Sequence, residues 1–227
     1  YSTMLKEAID KEADMVYCDV LMVFDKAVKY CSTTNYDTDD ELMQLLDGSL
    51  MAASWNKMVK KELYKDLSFP EKLNNEDVAV TPLLFLRSKK TLKISSPFYK
   101  YVQRAGSIQN SGFSNKRYMI FDTAKICFDR IKKEKYSEDT RLKVEGAVVT
   151  HQILAMLIYL IPKVEDEEER KELLREFTDR YNSLGLMKNN HYITEYLDQY
   201  NVSKVQDLIK SKDIDNLDKY LRKHKNI

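Results

Sequence analysis

Residues 15–24, Met15-Val16-Tyr17-Cys18-Asp19-Val20-Leu21-Met22-Val23-Phe24, form a compact apolar and β-branched run. Such a run suits a strand covered on both faces, as in α/β sheets. Just before it, residues 3–13 place Met4, Leu5, Ala8 and Ile9 on one helical face and Lys6, Glu7, Asp10 and Lys11 outward. A helix followed by a buried strand is half of a βαβ unit, whose preceding strand is absent from the sequence.

Beyond the run the pattern is mixed up to about residue 115. Residues 31–38 are polar and loop-like, and Asp39 or Asp40 caps a short helix carrying Leu42, Leu45 and Leu46, stopped by Gly48. Residues 54–63 are helical in period, and 67–75 are irregular around Pro70. Residues 76–89 open with two acids, which favour a helix start, and Pro82 kinks that helix or lies close to its beginning. Thr91 to Val102, rich in aromatic and β-branched residues, predicts one or two short strands. The stretch 106–115, with two Gly, three Ser and two Asn, is the most loop-like in the chain. From Lys116 the pattern is helical: 118–133, a largely buried 140–161, a third helix from Pro162 and the acidic 165–169 to 182, then helices around 192–200 and 202–221. The expected fold is therefore α/β and helix-rich, with a boundary dividing residues 1–134 from a helical extension, 135–227.

Composition removes several function classes. Thirty-seven Lys+Arg against 36 Asp+Glu leave a net charge of +1, which offers no global field for nucleic acid. Cys18, Cys31 and Cys127 are too few and too scattered for a disulfide framework, and no Cys/His cluster predicts zinc. They are read as reduced thiols of a cytoplasmic protein. The longest apolar stretch, 153–161, is shorter than the ~20 residues of a membrane span and reads as a buried helix. P-loop, GxGxxG and GxSxG fingerprints are missing, and His151, His191 and His224 lack metal-ligand spacing. Asp37-Thr38-Asp39-Asp40 has the acids of a metal motif but runs directly into helical periodicity, so it is read as a capped helix start.

A more informative constellation is spread over four segments. Ser54-Trp55-Asn56-Lys57 is followed by Phe69-Pro70, then Asn75-Glu76-Asp77-Val78, then Tyr99-Lys100-Tyr101-Val102-Gln103-Arg104-Ala105-Gly106-Ser107-Ile108. In this order they resemble the acceptor-side half of family 2 glycosyltransferases of the GT-A fold. Ala13-Asp14-Met15-Val16-Tyr17-Cys18-Asp19 is similar to the strand that follows that family's metal-binding DxD segment. The resemblance covers residues 1 to about 115. It implies a nucleotide-sugar donor, a glycan or other hydroxyl acceptor, and inverting transfer with Asp77 as the base that deprotonates the acceptor hydroxyl. Glu76 neighbours the base. Trp55 offers a face for a sugar ring, Asn56 and Lys57 offer donors, and Arg104 and Ser107 stand where they can close over a diphosphate.

The nucleotide-binding strands and the DxD segment of that family precede the point where this sequence begins. The resemblance therefore implies a C-terminal portion of a bacterial-type enzyme, whose divalent metal, Mn²⁺ or Mg²⁺, is held by the absent half; no metal site is assigned within this sequence. Residues 203–227 carry seven Lys/Arg against four Asp, a basic excess that suits peripheral contact with the inner face of a membrane. A strand at 15–24 stripped of its neighbours predicts pairing with a second copy, hence a homodimer. The alternative reading is a non-catalytic helical interaction module that keeps the ancestral scaffold. On the first reading the 227-residue chain binds no nucleotide sugar at millimolar concentration, with or without Mn²⁺. Calorimetry checks this, and micromolar binding would overturn it.

Overall fold

The computed structural model describes residues 1–33, 41–48, 50–104, 113–195 and 201–224. The chain divides into two compact units, residues 1–72 with 76–111, and residues 73–75 with 112–227. The acidic segment 37–40 lies outside the described residues.

The first unit is built on a four-stranded mixed sheet. Helix α1 (Ser2–Asp10) leads into β1 (Met15–Phe24), and β2 (Ala27–Cys31) folds back on its second half. After α2 (Glu41–Asp47) comes β3 (Lys57–Val59), which runs antiparallel to Met15–Tyr17. A 3-10 turn at Glu76–Ala79, helix α3 (Thr81–Arg87) and β4 (Thr91–Val102) complete the unit. β4 runs parallel to β1 in two stretches, Thr91–Ile94 and Tyr99–Val102, with a register shift between them. β1 thus has neighbours on both edges, with β2 and β3 on one and β4 on the other. The open edge of β1 from which sequence predicted pairing with a second copy is therefore filled within the chain.

Residues 15–20 of β1 are all buried, as the apolar run predicts. On the even-numbered face, Val16 and Cys18 pack with Met4, Ala13, Met58, Leu92, Ile94 and Tyr99 beneath α1. On the other face Tyr17 meets Phe85 of α3 edge-on, with ring centroids 6.2 Å apart. Asp19 is fully buried and accepts from the Tyr30 hydroxyl and from Thr33 N and Oγ1, at 2.9 and 3.0 Å. Burial alone would raise its pKa, but these hydrogen bonds, with Lys93 3.7 Å away, hold it below the usual carboxylate range.

Two elements differ from the sequence expectation. Residues 57–59 form a strand where helical periodicity was expected, because pairing with Met15–Tyr17 overrides local preference over so short a stretch. β2 was not anticipated at all. Pro82 does sit in the first turn of α3, where its missing N–H costs nothing.

The second unit is helical throughout: α4 (Met119–Lys133), α5 (Glu138–Val148), α6 (Ala155–Tyr159), α7 (Glu167–Ser183), α8 (His191–Glu195), α9 (Val202–Lys210) and α10 (Ile214–Lys223). A π-turn at Val149–Leu154 joins α5 to α6, so residues 138–163 form one helical stretch. It is long and apolar enough to cross a membrane, yet 67% of its most apolar window is buried within the protein, as in a core helix. Phe121 of α4 and Phe177 of α7 meet edge-on, with centroids 5.3 Å apart. Ser137, Asp166, Asn201 and Asp213 cap four of these helices through their side-chain oxygens. The Asp213 cap, with Lys212 at φ 56°, breaks what periodicity alone reads as one helix over 202–221.

Arg170 of α7 and Asp218 of α10 form a buried forked ion pair, Nε to Oδ1 at 2.5 Å and Nη2 to Oδ2 at 3.0 Å. Nη1 also donates to the carbonyls of Val164 and Glu165. Removing one partner strands the other charge. Asp218→Ala is expected to cost about 3–5 kcal/mol in a denaturant melt, and Arg170→Met with Asp218→Leu together less than that. Equal losses for the single and double variants would show that the pair does not act as a unit.

Candidate functional site

Trp55, Asn56, Lys57, Asp77, Tyr99 and Tyr101, from three of the segments that carry the sequence resemblance, lie in the first unit; Phe69 packs on Tyr64, with ring centroids 6.1 Å apart, and residues 105–108 lie outside the described residues. Trp55 lies in the turn entering β3, and its ring stacks on two tyrosines of β4: Tyr99 at 4.4 Å and 28°, and Tyr101 at 5.0 Å and 27°. Aromatic pairs in offset stacking add to the stability gained from burial. The Y-x-Y spacing puts both tyrosines on one side of the strand, which is why a single tryptophan reaches both.

Asn56 is buried, and its side chain and backbone both grip β1. Its Nδ2 donates to the Cys18 carbonyl at 2.9 Å, and its own carbonyl accepts from Cys18 N at 3.1 Å. Lys57 pairs with Tyr17 across the antiparallel register, on the face that carries Phe85. Its ammonium lies 5.5 Å from the Phe85 ring centroid and donates to Met51 O at 2.8 Å, Ala53 O at 2.6 Å and Asn56 Oδ1 at 2.9 Å. Three acceptors take all three N–H donors, the geometry of the charged form. Asn56 and Lys57 therefore bind the protein's own chain and fix the loop before β3.

Asp77 sits in the 3-10 turn directly before the buried trio Val78, Ala79 and Val80. Burial pushes its carboxyl up to about 6, and the charge of Glu76 acts in the same direction. Backbone N–H groups and the positive charge of Lys57 oppose the rise. Burial likewise pushes Lys57 down to about 7, against the pull of Asp77. The site thus contains a half-buried carboxyl and an enclosed amine whose ionisations influence each other, both poised near neutrality. Glu76 is exposed beside them. A small cavity of ≈150 Å³ opens between Trp55, Asn56, Lys57, Cys18 and Tyr99, with Tyr1 and Met4 at its margin.

Arg104 is exposed two residues past the end of β4, after Gln103 N donates to Val23 O at 2.8 Å. Ser107 lies outside the described residues. Among the described residues, no group of three or more His, Cys, Asp or Glu could hold a metal ion. The site partners absent from the sequence expectation are Tyr99 and Tyr101 as the bed for Trp55, and the carbonyls of residues 51 and 53 as the seat of Lys57. The Y-x-Y spacing was the available signal for the first; main-chain carbonyls leave none.

A scan against protein-family models finds no match. A search of curated proteins also finds none. Solved structures do match. The crystal structure of S. aureus TarS 1–349 superposes with a TM-score of 0.71 at 12% identity, over 97% of this chain and 60% of that one. The same protein in complex with UDP-GlcNAc gives 0.68 at 16% identity, covering 97% and 62%. Its complex with UDP gives 0.65 at 13%, covering 97% and 60%. The chain shares the fold of that part of TarS. It spans about three-fifths of the length of the structures it matches.

The pKa values of the site carry a sign. With its folded value about 6 and an unfolded one near 4, Asp77 binds its proton more tightly when folded, so its contribution to stability falls as pH rises between those values. Carbon-detected NMR of the Asp77 carboxyl is expected to titrate near 6. Lys57→Met is expected to move that midpoint upward by removing the positive neighbour. A midpoint near 4 would show a solvated carboxylate and end the argument for a tuned acid.

Proposed function

We propose that this chain is the acceptor-side part of a family 2, GT-A-type glycosyltransferase, and that the intact enzyme transfers a sugar from a nucleotide-sugar donor to a hydroxyl acceptor with inversion. The observation that carries the reading is Asp77, a half-buried carboxyl tuned to about 6 beside Lys57, in a unit of glycosyltransferase-like fold. A base working near neutral pH needs that tuning: it must be ionised before attack, yet basic enough to take the acceptor proton.

In this reading Asp77 removes the proton from the acceptor hydroxyl as its oxygen attacks the anomeric carbon, and the nucleoside diphosphate leaves from the opposite face. Lys57 biases Asp77 toward its ionised form and, with Asn56, anchors the loop that carries Trp55. Trp55, bedded on Tyr99 and Tyr101, presents apolar surface to a sugar ring, and Glu76 orients acceptor hydroxyls. Arg104 and Ser107 close on the diphosphate, the arginine offering a fork of donors to its oxygens. Complexes of the structural neighbour with UDP-GlcNAc and with UDP support a donor of the UDP-sugar class. A divalent metal, when bound to the intact enzyme, would offset the charge of the departing diphosphate. On this reading its ligands belong to the rest of the intact protein, a cytoplasmic enzyme that contacts the membrane surface peripherally.

In the intact enzyme, Asp77→Asn is expected to lower kcat by about 10²-fold or more with little change in donor binding. Asp39→Asn, in the acidic segment, leaves kcat within a few-fold. In the unmodified enzyme kcat/KM rises as pH passes upward through about 6 and then levels, because the base acts deprotonated. Near-normal turnover of Asp77→Asn at saturating substrates would remove the assignment.

A further inference from the structure

The second unit holds a cavity of ≈330 Å³ that the proposed reaction does not use. One wall is a face of α4, where Phe128 and Ile131 lie three residues apart; another is a face of α5, where Arg141 and Glu145 lie one turn apart. The chain leaving α7 closes it with Leu184 and Met187. Phe128, Ile131, Leu184 and Met187 are the apolar lining; Arg141 and Glu145 of α5 and Asp129 and Lys132 of α4 are the polar groups.

The two polar groups of α5 are in different states. Glu145 is buried and committed: its carboxylate accepts from Met187 N at 3.0 and 3.1 Å and from Asn190 Nδ2 at 3.1 Å, pinning the 187–190 segment to α5. Arg141 is not. Its Nε is buried and has no hydrogen-bond partner. Buried donors without acceptors are rare in folded proteins, and a guanidinium edge is shaped to receive a forked oxyanion. At the rim Asp129 is paired with Lys125 at 2.7 Å, and Lys132 adds a positive charge.

We propose that this cavity is a binding site for a small amphipathic anion, an oxyanion head seated on Arg141 with an apolar body against Phe128, Ile131, Leu184 and Met187. Arg141 supplies the donor, Lys132 supplies long-range attraction, and the apolar walls supply the area that favours a hydrocarbon body over water. The charge of Glu145 is partly offset by the donors it already serves, Met187 N and Asn190 Nδ2.

The test uses the 227-residue chain and octanoate as probe, read by methyl NMR shifts of Ile131, Leu184 and Met187 and by calorimetry. Octanoate is expected to shift those methyls with a Kd below about 1 mM, in line with what a ligand of its size can gain. 1-Octanol, which lacks the anionic head, and inorganic phosphate, which lacks the apolar body, each bind at least tenfold more weakly. Arg141→Met, which keeps the stem and removes the donors, weakens octanoate at least tenfold at unchanged melting temperature; Arg141→Lys falls between. Octanoate that leaves the three methyls unmoved, or that binds no better than octanol or phosphate, overturns the proposal without reference to any variant. Undiminished binding by a folded Arg141→Met does the same.

Discussion

β1 is hydrogen-bonded to each of the other three strands, and the geometry of the first unit follows from that position. Its first half pairs with β3, its second half with β2, and its other edge with β4. Its edges are taken by strands, and over its first half its faces are covered by side chains of α1 and α3, which is why six consecutive side chains from Met15 to Val20 are buried. Its one acid, Asp19, is tolerated because four groups converge on it. The main chain of Cys18 is held by Asn56 on the β3 side and Ile94 on the β4 side. Whatever places the turn at Trp55 and the strand at Tyr99 does so through β1.

The second constraint is electrostatic. Lys57 and Asp77 come from segments twenty residues apart, yet each shapes the charge state of the other. Lys57 is saturated by acceptors of its own loop, so it supplies field, not a free donor. Asp77 keeps an ionisable group near neutrality without a salt bridge that would lock it as a carboxylate. A carboxyl fully paired with a lysine would fall well below its ordinary value and make a poor base.

Much of this was legible in the residues. The apolar run announced β1, Pro82 announced the start of α3, and amphipathic periods announced α4 and α7, whereas the two acids, read as the opening of that helix, form a separate 3-10 turn before it. β3 was not legible, because three residues carry too little pattern to outweigh the helical period around them, and long-range pairing decided the matter. Trp55 stood out as the one tryptophan, whereas its stacking on Tyr99 and Tyr101 depends on which side of β4 those tyrosines occupy. The seat of Lys57 is made of carbonyls, which every residue carries, so no sequence motif could reveal it. The orphaned Nε of Arg141 was equally invisible, since a lone arginine on a helix usually reaches solvent.

The side of β4 that bears the tyrosines is itself set by a count. Cys18 pairs with Ile94 and Val20 with Tyr99, so β1 advances two residues while β4 advances five. An odd excess inverts the strand's alternation: Leu92 and Ile94 share the α1 face with Tyr99, although their numbers differ in parity. The intervening Ser95-Ser96-Pro97-Phe98 therefore acts as a phase shifter, and Pro97 fits there because an unpaired residue needs no N–H. Its chemistry is open to drift, but its length is fixed modulo two. Chains that gained or lost a single residue here would turn the aromatic bed over to the opposite side of the sheet, while a change of two would leave it facing Trp55.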